Sequence, residues 1–281
     1  MLDIKNKPKI NLKRRENFYI TEKLINDRLI NTICISAKCP NKIECWSKGT
    51  ATFLILGDVC SRNCKFCSVN NGKPLKENEE EIKNIIEAVK VLNLKYVIIT
   101  SVSRDDLPDY GAFFWNKCIK EIKKYCPDIK IEALIPDFYG RKDLLDIIIE
   151  AKPFVIGHNV ETVKRLTSII RDKADYNRSL NVLRYVSKKG FLTKSGIMIG
   201  LGEEREEIFQ TIKDIYETGC RLLTIGQYLQ SNLSNLKVVK YYTLEDFDTF
   251  KKYALNLGFL FVESSPLVRS SYNAENVLNI I

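Results

Sequence analysis

Short apolar runs alternate with amphipathic stretches from about residue 52 onward, and this alternation predicts strands and helices in turn. Six apolar runs have the length and composition of buried strands: 52–56, 95–100, 130–134, 154–157, 194–199 and 221–226. Apolar residues recur at helical spacing in four stretches: 79–94, 112–126, 204–218 and 243–257. Strands separated by helices pair in parallel through right-handed crossovers. The pattern predicts an α/β fold, open or curled into a barrel, with functional loops after the carboxyl ends of the strands.

Both ends of the chain lie outside this pattern. Residues 1–50 are polar and irregular, with helical character only around 22–30, and residues 258–281 follow the last predicted helix. We therefore expect an N-terminal extension over 1–50, an α/β domain over 51–257 and a C-terminal tail over 258–281. A chain of 281 residues is long enough to bury one large core.

The composition is that of an ordinary globular protein, with 45% hydrophobic and 28% charged residues. No apolar run approaches 18 residues, so we expect no membrane span. The first residues lack the apolar core of a secretory signal and include Asp3, so we expect a cytoplasmic protein.

The net charge of +9 is unevenly placed. Residues 1–30 contain eight Lys or Arg and four Asp or Glu. This excess is typical of a solvated basic arm, or of a surface for an acidic partner, whether protein or nucleic acid. Because no RNA-binding signature with interleaved aromatic residues is present, we expect no nucleic-acid partner.

Cysteine usage changes this picture. The chain has nine cysteines and one histidine, and an odd number without a secretory signal argues against a disulfide framework. Six of them fall within 34 residues: Cys34, Cys39, Cys45, Cys60, Cys64 and Cys67. Such clustering indicates metal. The remaining three, at 118, 126 and 220, fall on predicted helices or strands and are expected to act as small hydrophobic residues.

The strongest motif is Cys60-Ser-Arg-Asn-Cys64-Lys-Phe66-Cys67, which directly follows the first predicted strand. Three thiolates are one short of a closed four-ligand shell. On a four-iron cluster they would leave one iron open to a small molecule that reacts there. The alternatives are a zinc site that borrows a fourth ligand, or cysteines of the core that are close by chance.

A second triplet, Cys34-x4-Cys39-x5-Cys45, lies in the irregular N-terminal region. Because this segment has little core of its own, a bound metal would help to order it. One structural zinc that takes cysteines from both triplets is the alternative. Two separate clusters account better for six cysteines.

These motifs resemble a known family. The loop from Cys60 to Cys67 resembles the hallmark loop of radical S-adenosylmethionine enzymes, and the upstream triplet resembles that of lipoyl synthases. Further segments are similar to lipoyl synthases: 39–46, 104–109, 157–162, 194–203, 224–230 and 269–272. Together they run from about residue 34 to 273, nearly the whole chain. Other radical enzymes that insert sulfur or methylthio groups lack the upstream triplet and the Arg269-Ser-Ser-Tyr272 segment, which makes them a weaker match.

The resemblance implies a partial (β/α)6 barrel, two 4Fe–4S clusters and S-adenosylmethionine as cofactor. It implies that Cys60, Cys64 and Cys67 hold the cluster at which S-adenosylmethionine is cleaved to a 5′-deoxyadenosyl radical. This radical takes hydrogen from carbons 6 and 8 of a protein-bound octanoyl chain, so the product is lipoyl-lysine. The auxiliary cluster on Cys34, Cys39 and Cys45 is the sacrificial sulfur source. Its fourth ligand in the family maps to Ser271.

Four further residues are implied in cofactor binding. Asn159 and Glu161 follow the fourth predicted strand and correspond to positions that bind ribose, although a helix-capping pair would have the same sequence. Met198, in a segment that lies against adenine in the class, replaces the usual Ile; a plain strand–turn–helix junction is the alternative. Phe66 is the aromatic residue of the cysteine loop and is expected at the same cofactor.

The resemblance also implies partners. The substrates would be octanoylated lipoyl carrier domains or the H protein of the glycine cleavage system, and electrons would come from a donor such as ferredoxin or flavodoxin. An iron–sulfur cluster carrier would restore the consumed cluster, and no membrane is involved. A non-catalytic zinc protein that binds nucleic acid through its basic charge is the rival from another class. Departures from the family pattern, among them Asn235 in place of a usual His, bear on loop shape and substrate contacts and not on cluster ligands.

Overall fold

The computed structural model describes residues 4–10 and 12–280. Residues 1–3 and 11 of the predicted extension, and residue 281 of the predicted tail, lie outside these. The chain divides into two compact units. The first unit comprises Ile10–Asn63 and Ser68–Phe154, and the second comprises Met1–Lys9, Cys64–Cys67 and Val155–Ile281. The three-part division expected from sequence stays a prediction.

The first unit begins with helices where sequence predicted an irregular segment. They are α1 (Glu16–Asp27), α2 (Ile33–Ser36) and α3 (Lys42–Ser47). Helix α1 buries few side chains, among them Phe18, whose ring centroid lies 5.8 Å from that of Trp46. The Thr32 hydroxyl accepts the Ile35 N–H and caps α2. Short helices with so few apolar positions give a weak periodic signal, which explains why sequence indicated helix only around 22–30.

Strands and helices then alternate in the first unit. The elements are β1 (Thr52–Ile55), β2 (Val59–Cys60), β3 (Asn70–Asn71), α4 (Glu80–Val91), β4 (Tyr96–Ser101), α5 (Ala112–Tyr125), β5 (Lys130–Leu134) and α6 (Lys142–Glu150). Strand β4 pairs in parallel with β1 on one side and with β5 on the other. Helix α4 buries the isoleucine face that its spacing predicted. Strands β2 and β3 form a separate short parallel pair that ends at Cys60.

The second unit repeats the alternation. Its elements are β6 (Val155–Gly157), α7 (Lys164–Ile170), α8 (Tyr176–Lys188), β7 (Leu192–Ile199), α9 (Arg205–Glu217), β8 (Leu222–Gln227), α10 (Leu244–Leu257) and β9 (Phe261–Ser265). The strands pair in parallel in the order β6, β7, β8, β9. Helices α7 to α10 and strands β7 to β9 bury one apolar cluster. All six strands predicted from sequence are therefore present, with parallel pairing.

Strand β9 is an addition to the prediction, because it lies within the expected C-terminal tail. Phe261 lies opposite Leu222 and the pairing continues to Ser265 opposite Gly226. Phe261 and Val262 are buried, whereas the polar residues Glu263, Ser264 and Ser265 are only partly so. A strand whose second half is polar lacks the apolar run by which the other strands were found. No helix within the described residues is long and apolar enough to cross a membrane.

Candidate active site

Cys34, Cys39 and Cys45 all belong to the first unit and lie in or beside its short helices. The Cys39 N–H donates to the Cys34 carbonyl oxygen at 3.1 Å, and the Lys42 N–H donates to the Cys39 carbonyl oxygen at 3.2 Å. These bonds wind the chain from α2 into α3. Thr50 then donates from both its N–H and its hydroxyl to the Cys45 carbonyl oxygen, at 3.0 and 3.1 Å. The backbone around all three cysteines is thus fixed locally.

The three thiols are also close enough to influence one another. Burial, with the nearby Cys39 next in importance, raises the pKa of Cys34 to about 11. Burial, together with Cys34 and Cys39, raises the pKa of Cys45 to about 12. Burial therefore favours the neutral thiols, and a bound cation would be needed to hold all three as the thiolates that iron binds. The donor set therefore fits an iron–sulfur cluster.

A site for a single metal ion would need a different geometry. Within residues 4–10 and 12–280, no group of three His, Cys, Asp or Glu side chains is arranged to hold one metal ion. The cysteines of a four-iron cluster each bind a different iron, so they surround a larger body than one ion. The number and softness of the thiols, and their mutual influence, are the features that support a cluster here.

Cys60 ends strand β2 in the first unit, and its sulfur accepts two backbone hydrogen bonds. The N–H of Arg62 donates to Cys60 Sγ at 3.4 Å and the N–H of Ser103 at 3.3 Å. The Ser61 hydroxyl donates to the Ser103 carbonyl oxygen, which ties this loop to the end of β4. Hydrogen bonds to sulfur are one means by which proteins set the potential of iron–sulfur clusters. Cys60 is therefore held in a setting suited to a cluster ligand.

Arg62, two residues after Cys60, forms a buried ion-pair network that sequence reasoning missed. Its guanidinium contacts Asp105 at 2.9 Å and Asp137 at 2.8 Å, and it lies 5.3 Å from the ring centroid of Tyr139. Burial disfavours the charge, but hydrogen bonds to both carboxylates outweigh burial and raise the pKa of Arg62. Asp105 belongs to the 104–109 segment, so that family-like motif has a structural role beside the cysteine loop.

Cys64, Phe66 and Cys67 belong to the second unit, where the loop backbone is held on both sides. The Cys67 N–H donates to the Cys64 carbonyl oxygen at 2.9 Å, and the Lys65 N–H donates to that of Ile170 at 2.9 Å. Phe66 packs against the apolar cluster of this unit. Because Cys60 belongs to the first unit, its grouping with Cys64 and Cys67 stays a prediction.

Asn235 holds the same loop through its side chain. Its Nδ2 donates to the carbonyl oxygen of Cys67 at 2.8 Å and to that of Lys65 at 3.3 Å. The neighbouring Leu236 N–H also donates to the Lys65 carbonyl oxygen, at 3.1 Å. From sequence, Asn235 was only a departure from the family pattern. The structure shows that it positions the backbone of Cys67.

Asn159, Glu161 and Met198 meet in the second unit. Asn159 Nδ2 donates to Glu161 Oε1 at 3.1 Å, and the Met198 N–H donates to the Glu161 carbonyl oxygen at 2.8 Å. Met198 also packs against the apolar cluster that Phe66 contacts. Helix α7 begins after Val163 without any side-chain cap, so Asn159 and Glu161 are not its capping pair. Three of the predicted cofactor contacts are therefore brought together, and the fourth, Phe66, packs against the same apolar cluster as Met198.

Glu161 has features of a functional carboxylate. Its backbone lies in the left-handed region, with φ of 70°, which is uncommon for a residue other than glycine. Burial raises the pKa of its carboxyl, and the charge of Arg171 and the hydrogen bond from Asn159 offset part of this effect. A buried carboxylate with few partners is a suitable acceptor for the hydroxyl groups of a ligand.

Gly196 leaves the space that Asn159 occupies. A Cβ at this position would lie 2.6 Å from Thr224 Oγ1 and 2.9 Å from Asn159 Oδ1. Any side chain at 196 would therefore displace the Asn159 amide. This requirement explains the glycine on chemical grounds, independently of any motif.

Ser271 lies in the turn from 269 to 272, which follows β9 in the second unit. The Tyr272 N–H donates to the Arg269 carbonyl oxygen at 2.9 Å. Gly226 of β8 lets this segment approach, since a Cβ there would lie 2.1 Å from the Val268 carbonyl oxygen. The role of Ser271 as a ligand stays a prediction.

The other three cysteines behave as sequence suggested. Cys118 and Cys220 are fully buried, and Cys126 is half-buried at the end of α5. Burial raises the pKa of Cys220 to about 12. Thiols so strongly biased toward the neutral form act as packing groups.

Comparison with known proteins supports this assembly of parts. Residues 54–215 match the model of the Radical SAM superfamily. The chain is 48% identical over 267 residues to the lipoyl synthase of Parabacteroides distasonis, covering 95% of each protein. It is 51% identical over 246 residues to that of Treponema denticola, covering 88% of this chain and 85% of the relative.

Solved structures show the fold. Streptococcus suis SuiB bound to S-adenosylmethionine matches with a TM-score of 0.60 at 14% identity, over 83% of this chain and 57% of SuiB. Methylornithine synthase, PylB, matches with a TM-score of 0.55 at 14% identity, over 90% of this chain and 78% of that protein. These structures confirm the α/β partial-barrel class. The family model and the lipoyl synthase relatives confirm a radical enzyme that uses 4Fe–4S clusters and S-adenosylmethionine. The chain belongs to the lipoyl synthase family of the radical S-adenosylmethionine superfamily.

Proposed function

We propose that this chain inserts two sulfur atoms, at carbons 6 and 8 of an octanoyl group amide-linked to a carrier-protein lysine, to give lipoyl-lysine. The observation that carries the proposal is the presence of two separate cysteine triplets in a chain that matches lipoyl synthases over 95% of its length. One triplet would suffice for radical generation. A second set of soft ligands in its own helical segment supports a second cluster with a different task.

Each triplet has its own role in this proposal. Cys60, Cys64 and Cys67 hold the cluster that supplies one electron for cleavage of S-adenosylmethionine, and Cys34, Cys39 and Cys45 hold the cluster that supplies sulfur. Three thiolates would leave one iron of a four-iron cluster without a protein ligand, and S-adenosylmethionine would bind at that open position. The two backbone N–H groups on Cys60 and the hold of Asn235 on Cys67 support the first assignment.

The residues of the second unit bind the rest of S-adenosylmethionine. Glu161 and Asn159 accept hydrogen bonds from the ribose hydroxyls, while Met198 and Phe66 contact the adenine. The bonded Asn159–Glu161 pair, the raised pKa of Glu161 and the shared apolar cluster support this placement. A 5′-deoxyadenosyl radical attacks many C–H bonds, so rigid positioning of its precursor limits side reactions.

Ser271 completes the auxiliary site in this proposal. A serine oxygen is a harder ligand than thiolate and binds iron less well. A ligand that leaves readily suits a cluster that must be dismantled to release sulfur. This assignment rests on the family resemblance of the Arg269-Ser-Ser-Tyr272 segment.

The family acts on octanoylated carrier proteins. We propose lipoyl carrier domains or the H protein of the glycine cleavage system as substrates, a ferredoxin or flavodoxin as electron donor, and an iron–sulfur carrier for repair. We also propose a cytoplasmic location, because nine free cysteines suit a reducing compartment.

The test is anaerobic turnover of an octanoylated carrier followed by mass spectrometry of the modified lysine. We expect a gain of two sulfur atoms on the octanoyl chain, and no gain when S-adenosylmethionine is omitted. Addition of a methylthio group would instead assign the chain to methylthiolation. Sulfur-free product with continuing formation of 5′-deoxyadenosine would contradict the proposal.

A further inference from the structure

One amide in the second unit links two segments that are far apart in sequence. Asn159 Nδ2 donates to Glu161 Oε1 at 3.1 Å and also to Ser270 Oγ at 3.0 Å. Glu161 lies on the loop after β6, whereas Ser270 lies in the turn after β9. Each of the two amide hydrogens therefore donates to a different segment.

The orientation of this amide is fixed by its surroundings. Reversing it would place Oδ1 against the Glu161 carboxylate, an acceptor facing an acceptor. As it stands, Oδ1 points across Gly196, is buried, and has no hydrogen-bond partner within the described residues. An acceptor left buried in this way costs free energy until a donor reaches it. A ribose hydroxyl next to Glu161 is a donor of the required kind.

Ser270 directly precedes Ser271 in a tight turn. The turn is closed by the Tyr272 N–H on the Arg269 carbonyl oxygen, and Val268 lies against Gly226 of β8. Within so short a turn, displacement of Ser270 moves the backbone of Ser271 as well. The Asn159–Ser270 hydrogen bond is a long-range side-chain contact that ties this turn to the loop carrying Glu161.

We infer that Ser270 is a positioning residue that couples the S-adenosylmethionine site to the serine ligand of the auxiliary cluster. The inference rests on the proposed function, because it takes Asn159 and Glu161 as ribose contacts and Ser271 as the ligand. A bound cofactor holds the Asn159 amide, the amide holds Ser270, and Ser271 is kept at its cluster. Coupling of binding free energies is reciprocal, so an intact auxiliary cluster also strengthens binding of S-adenosylmethionine.

The experiment measures loss of iron to a chelator, without reductant, in the presence and absence of S-adenosylmethionine. Iron of the auxiliary site is the difference between the full chain and a Cys39→Ala variant that lacks this cluster. In the wild-type chain, S-adenosylmethionine should slow the loss of auxiliary iron severalfold. In Ser270→Ala this protection should disappear, and Kd for S-adenosylmethionine should rise about fivefold, as expected from one lost hydrogen bond.

Ser270→Thr is the matched variant, because it keeps a hydroxyl and should keep the protection. A merely structural role for Ser270 would speed iron loss equally with and without S-adenosylmethionine, and that result would overturn the inference. The inference would also be overturned if S-adenosylmethionine protected the auxiliary iron equally in wild type and Ser270→Ala, or if it gave no protection in wild type. A wild-type chain that holds only one cluster would instead overturn the proposed function, and the inference with it.

Discussion

The two cysteine triplets are held in different ways. Cys34, Cys39 and Cys45 lie in or beside short helices within one unit, and burial with mutual repulsion raises the pKa values of Cys34 and Cys45. In the 60–67 loop, the Cys60 sulfur accepts two backbone N–H groups and the Cys67 carbonyl oxygen accepts the Asn235 side chain. Hydrogen bonds from the Thr52 backbone and the Trp46 side chain offset only part of the effect of burial on the pKa of Cys34. In the loop, by contrast, two backbone N–H groups contact the sulfur of the half-buried Cys60.

This difference matches the proposed tasks. A cluster that is dismantled in each reaction is suited by ligands that burial biases toward the neutral thiol. A cluster that takes up and passes on electrons repeatedly is suited by fixed dipoles around its sulfur atoms. The comparison therefore predicts that loss of one triplet affects the reaction differently from loss of the other.

The largest effect is expected at the loop. Cys64→Ala should abolish formation of 5′-deoxyadenosine, because the three-ligand shell that leaves one iron open is lost. The product is measured by chromatography after reduction with enzyme in excess. Cys126→Ala, at the half-buried end of α5, is the matched control and should retain activity. Substantial 5′-deoxyadenosine from Cys64→Ala would remove this loop from radical generation.

Loss of the auxiliary triplet should be selective. Cys39→Ala should still form 5′-deoxyadenosine at close to the wild-type rate, since the loop cluster is intact, but should yield no lipoyl-lysine. Both products are measured in the same reaction, and iron analysis should show one cluster fewer than wild type. Sulfur insertion by this variant would show that the two triplets do not divide the work.

Asn235 allows a graded test of the loop. Asn235→Ala removes two hydrogen bonds to loop carbonyl oxygens, each worth about 1 kcal/mol net, and should weaken S-adenosylmethionine binding by up to about thirtyfold. Binding is measured by calorimetry on the reconstituted protein. Asn235→His introduces the residue that is usual in the family. Its ring N–H is a replacement donor, so this variant should lose less affinity for S-adenosylmethionine. Equal loss of affinity in both variants would show that Asn235 acts through packing and not through its hydrogen bonds.

The smallest effect is expected from the basic stretch before α1. Lys13 and Arg15 are exposed there, and opposite charges raise association rates until salt screens them, over about 10 Å at 0.1 M. The double variant Lys13→Gln and Arg15→Gln should raise KM for an acidic carrier domain about threefold at low salt. The variant should turn over a short octanoyl-lysine peptide at the same rate as wild type.

A control variant separates this effect from net charge. Lys164→Gln with Lys188→Gln removes the same charge from exposed positions elsewhere and should leave KM for the carrier unaltered. If the Lys13 and Arg15 variant lost activity equally on the carrier and on the peptide, the stretch would support the fold. The docking role would then be rejected.

Sequence alone predicted much of the fold and part of the site. The six apolar strands and the amphipathic helices were found because their periodicity is local and strong. Helices α2 and α3 were missed because they are only four and six residues long, and strand β9 was missed because its second half is polar. Cysteine spacing and family resemblance predicted the cluster ligands, and the resemblance indicated Asn159, Glu161 and Met198, which the structure brings together.

Other features depend on the tertiary structure alone. Arg62 reaches Asp105 and Asp137, which are 43 and 75 residues away, Asn159 reaches Ser270 over 111 residues, and Asn235 reaches Cys67 over 168 residues. No local pattern encodes these contacts, because each depends on where several strands and loops end once the chain has folded. The sequence by itself determined which residues can bind metal and which segments form strands. Tertiary packing decided which polar side chains hold those segments in place.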